Sequence, residues 1–175
     1  NFINRHNRLA EVDFPEILDI GSNRAEFFKK LIELYPDSSL TGVEPDKRLN
    51  HEYTHLQNCN LVNERIENLT FDFNSFDLIY SSHTFEHISS PYETLKNCYN
   101  WLKHDGLIYL EVPNLLYINN TNLIDEFFID KHLYHFTEDT FFQLVLQSGF
   151  SILESEVEDR NICVLAQKSM KNINL

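Results

Sequence analysis

The 175 residues are enough for one domain with a sizeable core, and no apolar run reaches the eighteen or so residues needed to cross a bilayer. The formal charge of −13 comes from 27 acidic against 14 basic side chains. It repels phosphates and so disfavours DNA or RNA as the main partner, leaving small-molecule, peptide or glycan acceptors.

The opening NFINRHNRL has no apolar core of a signal peptide, so a cytoplasmic location is expected. The first residue is Asn, which suggests an internal piece or a trimmed chain. Cys59, Cys98 and Cys163 are far apart and form no CxxC, so they read as small apolar residues, with neither a disulfide framework nor a zinc cage. No metal is expected. The sequons at Asn68 and Asn119 carry no weight without a secretory signal.

In chain order, Glu16 to Ile20 reads as a first strand broken by Gly21. Arg24 to Tyr35 puts Phe27, Phe28, Leu31, Ile32 and Tyr35 on one helical stripe, stopped by Pro36-Asp37. Ser39 to Val43 is a second strand ending at Glu44-Pro45. Leu49, Tyr53 and Leu56 suggest a short second helix, and Asn60 to Glu64 a weak third strand. Phe76 to Ser81 is a buried-type strand. Ser90-Pro91-Tyr92-Glu93 has the form of a capping box with Pro at the first helical position, opening a helix with Leu95, Cys98, Tyr99 and Leu102 on its apolar stripe. A turn at Asp105-Gly106 precedes the strand Leu107 to Val112. Thr137 caps a last helix carrying Phe141, Phe142, Val145 and Leu146, and Gly149 stops it. Two strands, 150–157 and 162–167, are joined by a turn too short for a crossover and must be antiparallel.

Strands alternating with helices predict an α/β, Rossmann-like, doubly wound sheet of seven strands, mostly parallel, with a C-terminal antiparallel hairpin. One domain, 1–175, with its core at about 16–167, is the expected organisation. Residues 114–136, and 114–131 above all, follow a strand's carboxyl end and read as an acceptor-side insertion or lid.

The chemistry begins at Ile17-Leu18-Asp19-Ile20-Gly21-Ser22-Asn23, a strand running through a glycine turn into a helix, where backbone N–H groups approach a ligand closely. Glu44 lies 23 residues beyond Gly21 at the end of the second strand, placed to accept hydrogen bonds from both hydroxyls of a ribose. Together the two point to a nucleoside cofactor. A nicotinamide-dependent dehydrogenase shares the acidic residue but wants three glycines in the turn. His83-Thr84-Phe85-Glu86-His87 has the H-x-x-E-H spacing of an inverted zinc-protease motif, which requires one helix through both histidines, whereas a strand precedes them here.

Over Glu16 to Gln167 the chain resembles the class I AdoMet-dependent methyltransferases, specifically the small-molecule branch that includes ubiquinone-biosynthesis and sugar methyltransferases. ILDIGSNRAEFF resembles the first motif and LTGVEPD the second. FDLIYSSHTFEHISSPYETLKNCYNWLKHDGLIYLEVPN follows the run of strand, Glu-His pair, helix, turn and strand, and KHLYHFTEDTFFQLVLQSGF is similar to a downstream segment. The resemblance implies AdoMet as cofactor and S-adenosylhomocysteine as product. It implies that the backbone of Gly21, Ser22 and Asn23 passes along the methionine part, that Asp19 supports the turn and that Glu44 holds the ribose. By the same resemblance Ile66 and Glu67 flank the adenine, while Ser82 and His83 face the methionyl and methyl region. His132, Tyr134 and His135 lie in a segment the family turns toward the acceptor; His135 or His87 is the candidate general base, with Tyr134 orienting the acceptor. Phe85, Tyr80 and Tyr117 are candidate aromatic faces for the sulfonium. The expected function is methyl transfer to a small molecule.

The family usually carries Gly where this chain has Asn23 and Ala25, which motivates an alternative: a non-catalytic AdoMet-binding or structural domain of a larger protein.

Overall fold

A computed structural model describes residues 12–13, 15–120, 132–158 and 160–169. Its frame is one seven-stranded sheet in the order β3-β2-β1-β4-β5-β7-β6. The strands are β1 (Glu16–Ile20), β2 (Ser39–Val43), β3 (Cys59–Val62), β4 (Phe76–Ser82), β5 (Leu102–Pro113), β6 (Phe150–Val157) and β7 (Asn161–Lys168). β1 to β5 pair in parallel, while β7 runs antiparallel to both β5 and β6. This is the doubly wound sheet with a closing hairpin that the alternation predicted.

Helices α1 (Glu26–Leu34), α2 (Pro91–Trp101) and α3 (Glu138–Gln147) cover the sheet. Ile17, Leu40 and Leu78 pack with Phe28 and Leu31 of α1 on one face. Leu18, Ile20, Ile79 and Ile108 pack with Leu95, Cys98 and Trp101 of α2 and Phe141 and Val145 of α3 on the other. Strands buried on both faces explain why β1 and β4 read as apolar runs with little alternation. Because β1 leads outward to β2 and β3 while β4 lies on its other side, the chain reverses direction across the sheet at β1/β4. A crevice opens there, at the carboxyl ends of the strands.

Local differences from the sequence reading have identifiable causes. The expected second helix is a short 3-10 helix, Lys47–Glu52, capped by Asp46 accepting from Arg48 N at 3.0 Å. Tyr53 leaves its stripe to hydrogen-bond the first turn. β3 starts at Cys59, one residue early, and stops at Val62. α2 begins at Pro91 as expected, but Ser90 makes no side-chain cap, so the capping box does not form; the fixed φ of Pro91 starts the helix. Leu102 belongs to β5, and the expected Asp105-Gly106 turn is an irregularity within that strand: Phe76 faces Leu102 whereas Leu78 faces Leu107. Lys103 anchors this bulge by donating to Asp77 Oδ2 at 2.7 Å. Thr137 caps α3 as predicted, in a reciprocal box with Thr140; Leu146, assigned to the core stripe, is exposed. The middle of the insertion, 121–131, lies outside the described residues.

Asn23 (φ 43°) and Ala25 (φ 58°) both adopt the left-handed conformation that glycine reaches without strain. Ala25 is fully buried. For Ala25→Gly, relief of about 1–2 kcal/mol of backbone strain opposes about 0.8 kcal/mol of lost methyl burial and about 0.4–1 kcal/mol of added unfolded-chain freedom. The terms nearly cancel. The expected shift in melting temperature is within about 3 °C, and a loss of about 5 °C or more would show that no strain resides there.

Candidate functional site

The turn after β1 is tied to the end of β2 by Gly21 N and Ser22 N, which both donate to Val43 O at 2.9 and 3.2 Å. Gly21 has φ +78°, and a Cβ on it would lie 2.0 Å from Thr84 Oγ1. The turn therefore needs glycine twice over, for its dihedral and for the close approach of Thr84. Tyr53 OH donates to Ser22 Oγ (2.7 Å) or Asn23 O (2.8 Å) and pins the turn from below. Glu44 accepts from Asn23 N through Oε2 (3.1 Å) and from Asp46 N through Oε1 (2.9 Å). The first turn and the acidic residue thus converge on one place.

Three contiguous hollows run along this edge of the sheet. The largest, about 1050 Å³, is lined by Gly21, Asn23, Glu44, Ser82, His83 and His87 among others. One end narrows between Pro45, Ile66, Glu67 and Ile88. The other, about 470 Å³, opens beside Asp19, Ser22, Phe27, Tyr80 and Ser82. The main hollow, at about 1050 Å³, stands at the upper end of small-molecule sites (roughly 300–1000 Å³).

Charge is concentrated along it. Asp19 is buried, and desolvation, aided by the charge of Glu44, pushes its carboxyl well above the usual range. Glu67 is also partly buried, which raises its pKa, but Ser89 N and Oγ both donate to Oε1 at 3.0 Å and the net shift is downward. Glu67 thus fastens the short 3-10 helix Ile66–Asn68 to Ser89 while lining the narrow end. Ile66 serves both as core and as lining.

The side of the crevice at His83 and His87 carries a second set of groups. His83 has φ +50°, and its Nε2 lies 3.5 Å from Glu111 Oε1. Glu111 also accepts from Ser82 Oγ (3.1 Å), Tyr109 OH (3.2 Å) and Asn161 Nδ2 (2.7 Å). The His83 hydrogen bond holds Glu111 below its ordinary pKa and raises that of His83 in return. Glu86 is buried, which raises its pKa; its Oε1 lies 3.8 Å from His83 Nδ1 and 3.7 Å from His87 Nε2. His87, on the 3-10 turn Phe85–His87, has its ring 4.8 Å from that of His132, which is 6.1 Å from His135. Leu133 N and Tyr134 N both donate to Glu86 O, so the segment before α3 is docked on the Glu-His turn.

Of the residues singled out from sequence, Asp19, Gly21, Ser22, Asn23, Glu44, Ile66, Glu67, Ser82, His83 and His87 all line the crevice. His135 is not among the residues lining these hollows; its ring lies 6.1 Å from that of His132. Among the aromatic candidates Tyr80 lines the Asp19 end, stacked on Phe27 at 3.6 Å, while Phe85 is buried in the core and Tyr117 packs under Arg160. Tyr134 OH donates to Ser89 O. Tyr53, Thr84, Glu86 and Glu111 were not foreseen as site residues. For Glu86 the signal was its place between strand and helix in HTFEH, but no local pattern links Tyr53 to the turn 30 residues earlier.

A doubly wound seven-stranded sheet with a nucleoside-sized crevice over a glycine turn and a β2-terminal carboxylate defines the class I, Rossmann-like AdoMet-dependent methyltransferases. The chain belongs to the methyltransferase domain family, whose model matches residues 2–155. It is 23% identical over 171 residues to YrhH of Bacillus subtilis (strain 168), a methyltransferase by assignment, covering 93% of this chain and 85% of that one. Its fold is similar to a chain from the complex of the Haloferax volcanii Trm112 methyltransferase activator with a methyltransferase (TM-score 0.76, 14% identity, 94% and 88% of the two chains). It is similar also to an S-adenosylmethionine-dependent methyltransferase from Mesorhizobium loti (0.72, 16%, 88% and 91%). A third is the 1,6-didemethyltoxoflavin-N1-methyltransferase of Burkholderia thailandensis, solved with S-adenosylhomocysteine (0.70, 18%, 94% and 74%). The enzyme is an AdoMet-dependent methyltransferase, and no helix among the described residues is long and apolar enough to cross a membrane.

Proposed function

We propose that this methyltransferase binds AdoMet along the crevice from Ile66 to Asp19 and transfers its methyl group to a small-molecule acceptor, a metabolite or sugar, admitted from the His83/His87 side. The observation that carries this reading is the meeting of Glu44 with the amide of Asn23. It puts a carboxylate and a glycine turn on one ligand-sized hollow.

AdoMet, when bound, supplies a sulfonium methyl that is already a strong electrophile. The chain's own task is therefore alignment, which accounts for roughly 7–11 kcal/mol of barrier lowering in well-oriented reactions. Glu44 accepts hydrogen bonds from the ribose hydroxyls, Ile66 and Ile88 bound the base, and Asp19 faces the ammonium of the amino-acid tail. Ser82 and His83 sit over the methyl region, where Glu111 holds His83 in place. His135 or His87 would take the acceptor's proton, and the bound cofactor would supply the methyl group to the acceptor's freed electron pair, its sulfur keeping the electrons of the S–C bond.

Net charge of −13 supports a small molecule over a nucleic acid, and a cytoplasmic site of action fits the same composition. We take residues 1–175 as one such domain, with 114–136 as its acceptor-side cover. The alternative, a non-catalytic AdoMet-binding domain, was motivated by Asn23 and Ala25. Both take up the left-handed backbone that glycine would, so the turn closes without glycine at 23 and 25 and that motive weakens.

Calorimetry with AdoMet and S-adenosylhomocysteine tests the reading. Glu44→Gln removes a charge-assisted acceptor of about 1.5–3 kcal/mol, so S-adenosylhomocysteine should bind about 10- to 100-fold more weakly, and the melting temperature should fall by a few degrees because one of the bonds from Asn23 N and Asp46 N is lost. Unchanged affinity would remove Glu44 from the ribose. No binding of either ligand at millimolar concentration would end the reading altogether.

A further inference from the structure

Beside the crevice, Glu86, His87 and His132 each place one ligand atom within 4.8 Å of the others. Two imidazoles and a carboxylate form the donor set of catalytic zinc sites and of other open first-row sites, three protein ligands leaving positions free for solvent or substrate. Ligands at about 2.0–2.2 Å from a tetrahedral ion stand roughly 3.0–3.6 Å apart, so side-chain rotations of little more than an ångström complete the geometry. Glu86 gives the second, independent sign. Its side chain is 2% exposed, its Oε1 already lies between His83 and His87, and its Oε2 has no hydrogen-bond partner among the described residues. A buried carboxylate left half-satisfied is costly unless a cation completes it. The backbone is prepared as well: Glu86 O accepts from Leu133 N and Tyr134 N, which fixes the approach of His132 to the Glu-His turn.

We infer that Glu86, His87 and His132 bind one divalent first-row metal ion on the acceptor side of the crevice, and that the acceptor is an oxygen nucleophile which coordinates to it. This departs from the metal-free expectation of the sequence, and it changes one assignment. His87 becomes a ligand, leaving His135, whose ring lies 6.1 Å from that of His132, as the base. The ion lowers the pKa of a bound hydroxyl, as it does for bound water. His135 takes the proton, and the resulting alkoxide or phenoxide attacks the methyl carbon while the S–C electron pair goes to sulfur. The role of the ion in catalysis rests on the methyl-transfer reading; its binding does not.

The test uses the full chain stripped with a chelator, dialysed against Zn²⁺ or Co²⁺ and measured for bound metal, with S-adenosylhomocysteine calorimetry on the same samples. One equivalent of metal is expected, with visible Co²⁺ absorption of a site of low coordination number. His132→Ala and the near-isosteric Glu86→Gln should each weaken Zn²⁺ binding by about a hundredfold or more, while His51→Ala, on the far rim of the crevice, leaves it unchanged. His132 is half-exposed, so its replacement keeps the test valid if the Glu86 variant fails to fold. No bound metal at millimolar Zn²⁺, or stoichiometric binding that survives His132→Ala, overturns the site even if S-adenosylhomocysteine binds. Metal binding without S-adenosylhomocysteine binding preserves the site and overturns the methyl-transfer reading instead.

Discussion

Replacing Gly21 by alanine should lower the melting temperature by about 5–15 °C and abolish measurable AdoMet binding. Two costs act together. The φ of +78° is strained for any L side chain, at about 1–2 kcal/mol. The new methyl would also stand 2.0 Å from Thr84 Oγ1, 2.8 Å from its Cγ2 and 2.9 Å from its Cβ. Thr84 cannot swing aside freely, because Oγ1 donates to Ser82 O at 3.1 Å, so overpacking adds about 1–3 kcal/mol. At about 3 °C per kcal/mol, the middle of the span for a chain of this size, the sum of about 2–5 kcal/mol gives the stated range. Adding Thr84→Ala removes the two closest clashes but not the strained φ, and should restore about half of the lost stability. A Gly21→Ala protein that melts within 2 °C of the parent would show that the turn and Thr84 are not in contact. A protein that melts as expected yet binds AdoMet with unchanged affinity would move the cofactor away from this turn.

The contrast between Gly21 and its neighbours shows how far the sequence could be read. Local signals placed β1 and β2 to the residue, because each is a short apolar run closed by Gly21 or by Glu44-Pro45. They also placed the convergence of Gly21 with Glu44, since the order of two adjacent parallel strands brings their carboxyl ends to one edge. What they could not show was Thr84. Its contact with Gly21 joins residues 63 apart across β1 and β4, and nothing near either position encodes it. Tyr53 failed for a related reason: its spacing with Leu49 and Leu56 is that of a helical stripe, yet its hydroxyl is drawn to Ser22 and Asn23, and the helix shrinks to a single 3-10 segment. The Glu-His pair is the intermediate case. Its presence was legible and its role was not, because a carboxylate and two histidines from residues 86 to 132 form a group only once the segment before α3 docks on Glu86 O.

Asp19 should show the opposite signs in stability and in binding. Its carboxyl is buried at the end of β1 and its pKa is raised, first by lost solvation and second by the charge of Glu44. For an acid whose folded pKa exceeds its unfolded value, the folded state holds the extra proton. The free protein therefore gains stability as pH falls through the folded pKa, and above that pKa the buried charge costs stability. Asp19→Asn removes the charge without changing the shape, so the ligand-free protein should melt higher at pH 8 than the parent, and the difference should shrink on acidification. AdoMet reverses the balance. Its ammonium and sulfonium are cations, and the hollow beside Asp19, Ser22 and Tyr80 is where the amino-acid tail lies in the proposed pose. A carboxylate held in a poorly solvated pocket attracts such a cation strongly, and its loss should weaken AdoMet binding by about tenfold or more, on the scale of a charge-assisted hydrogen bond. The two effects separate cleanly in differential scanning calorimetry with and without ligand. If Asp19→Asn lowers the melting point of the free protein and leaves AdoMet affinity untouched, Asp19 is a brace for the turn and the tail of the cofactor lies elsewhere.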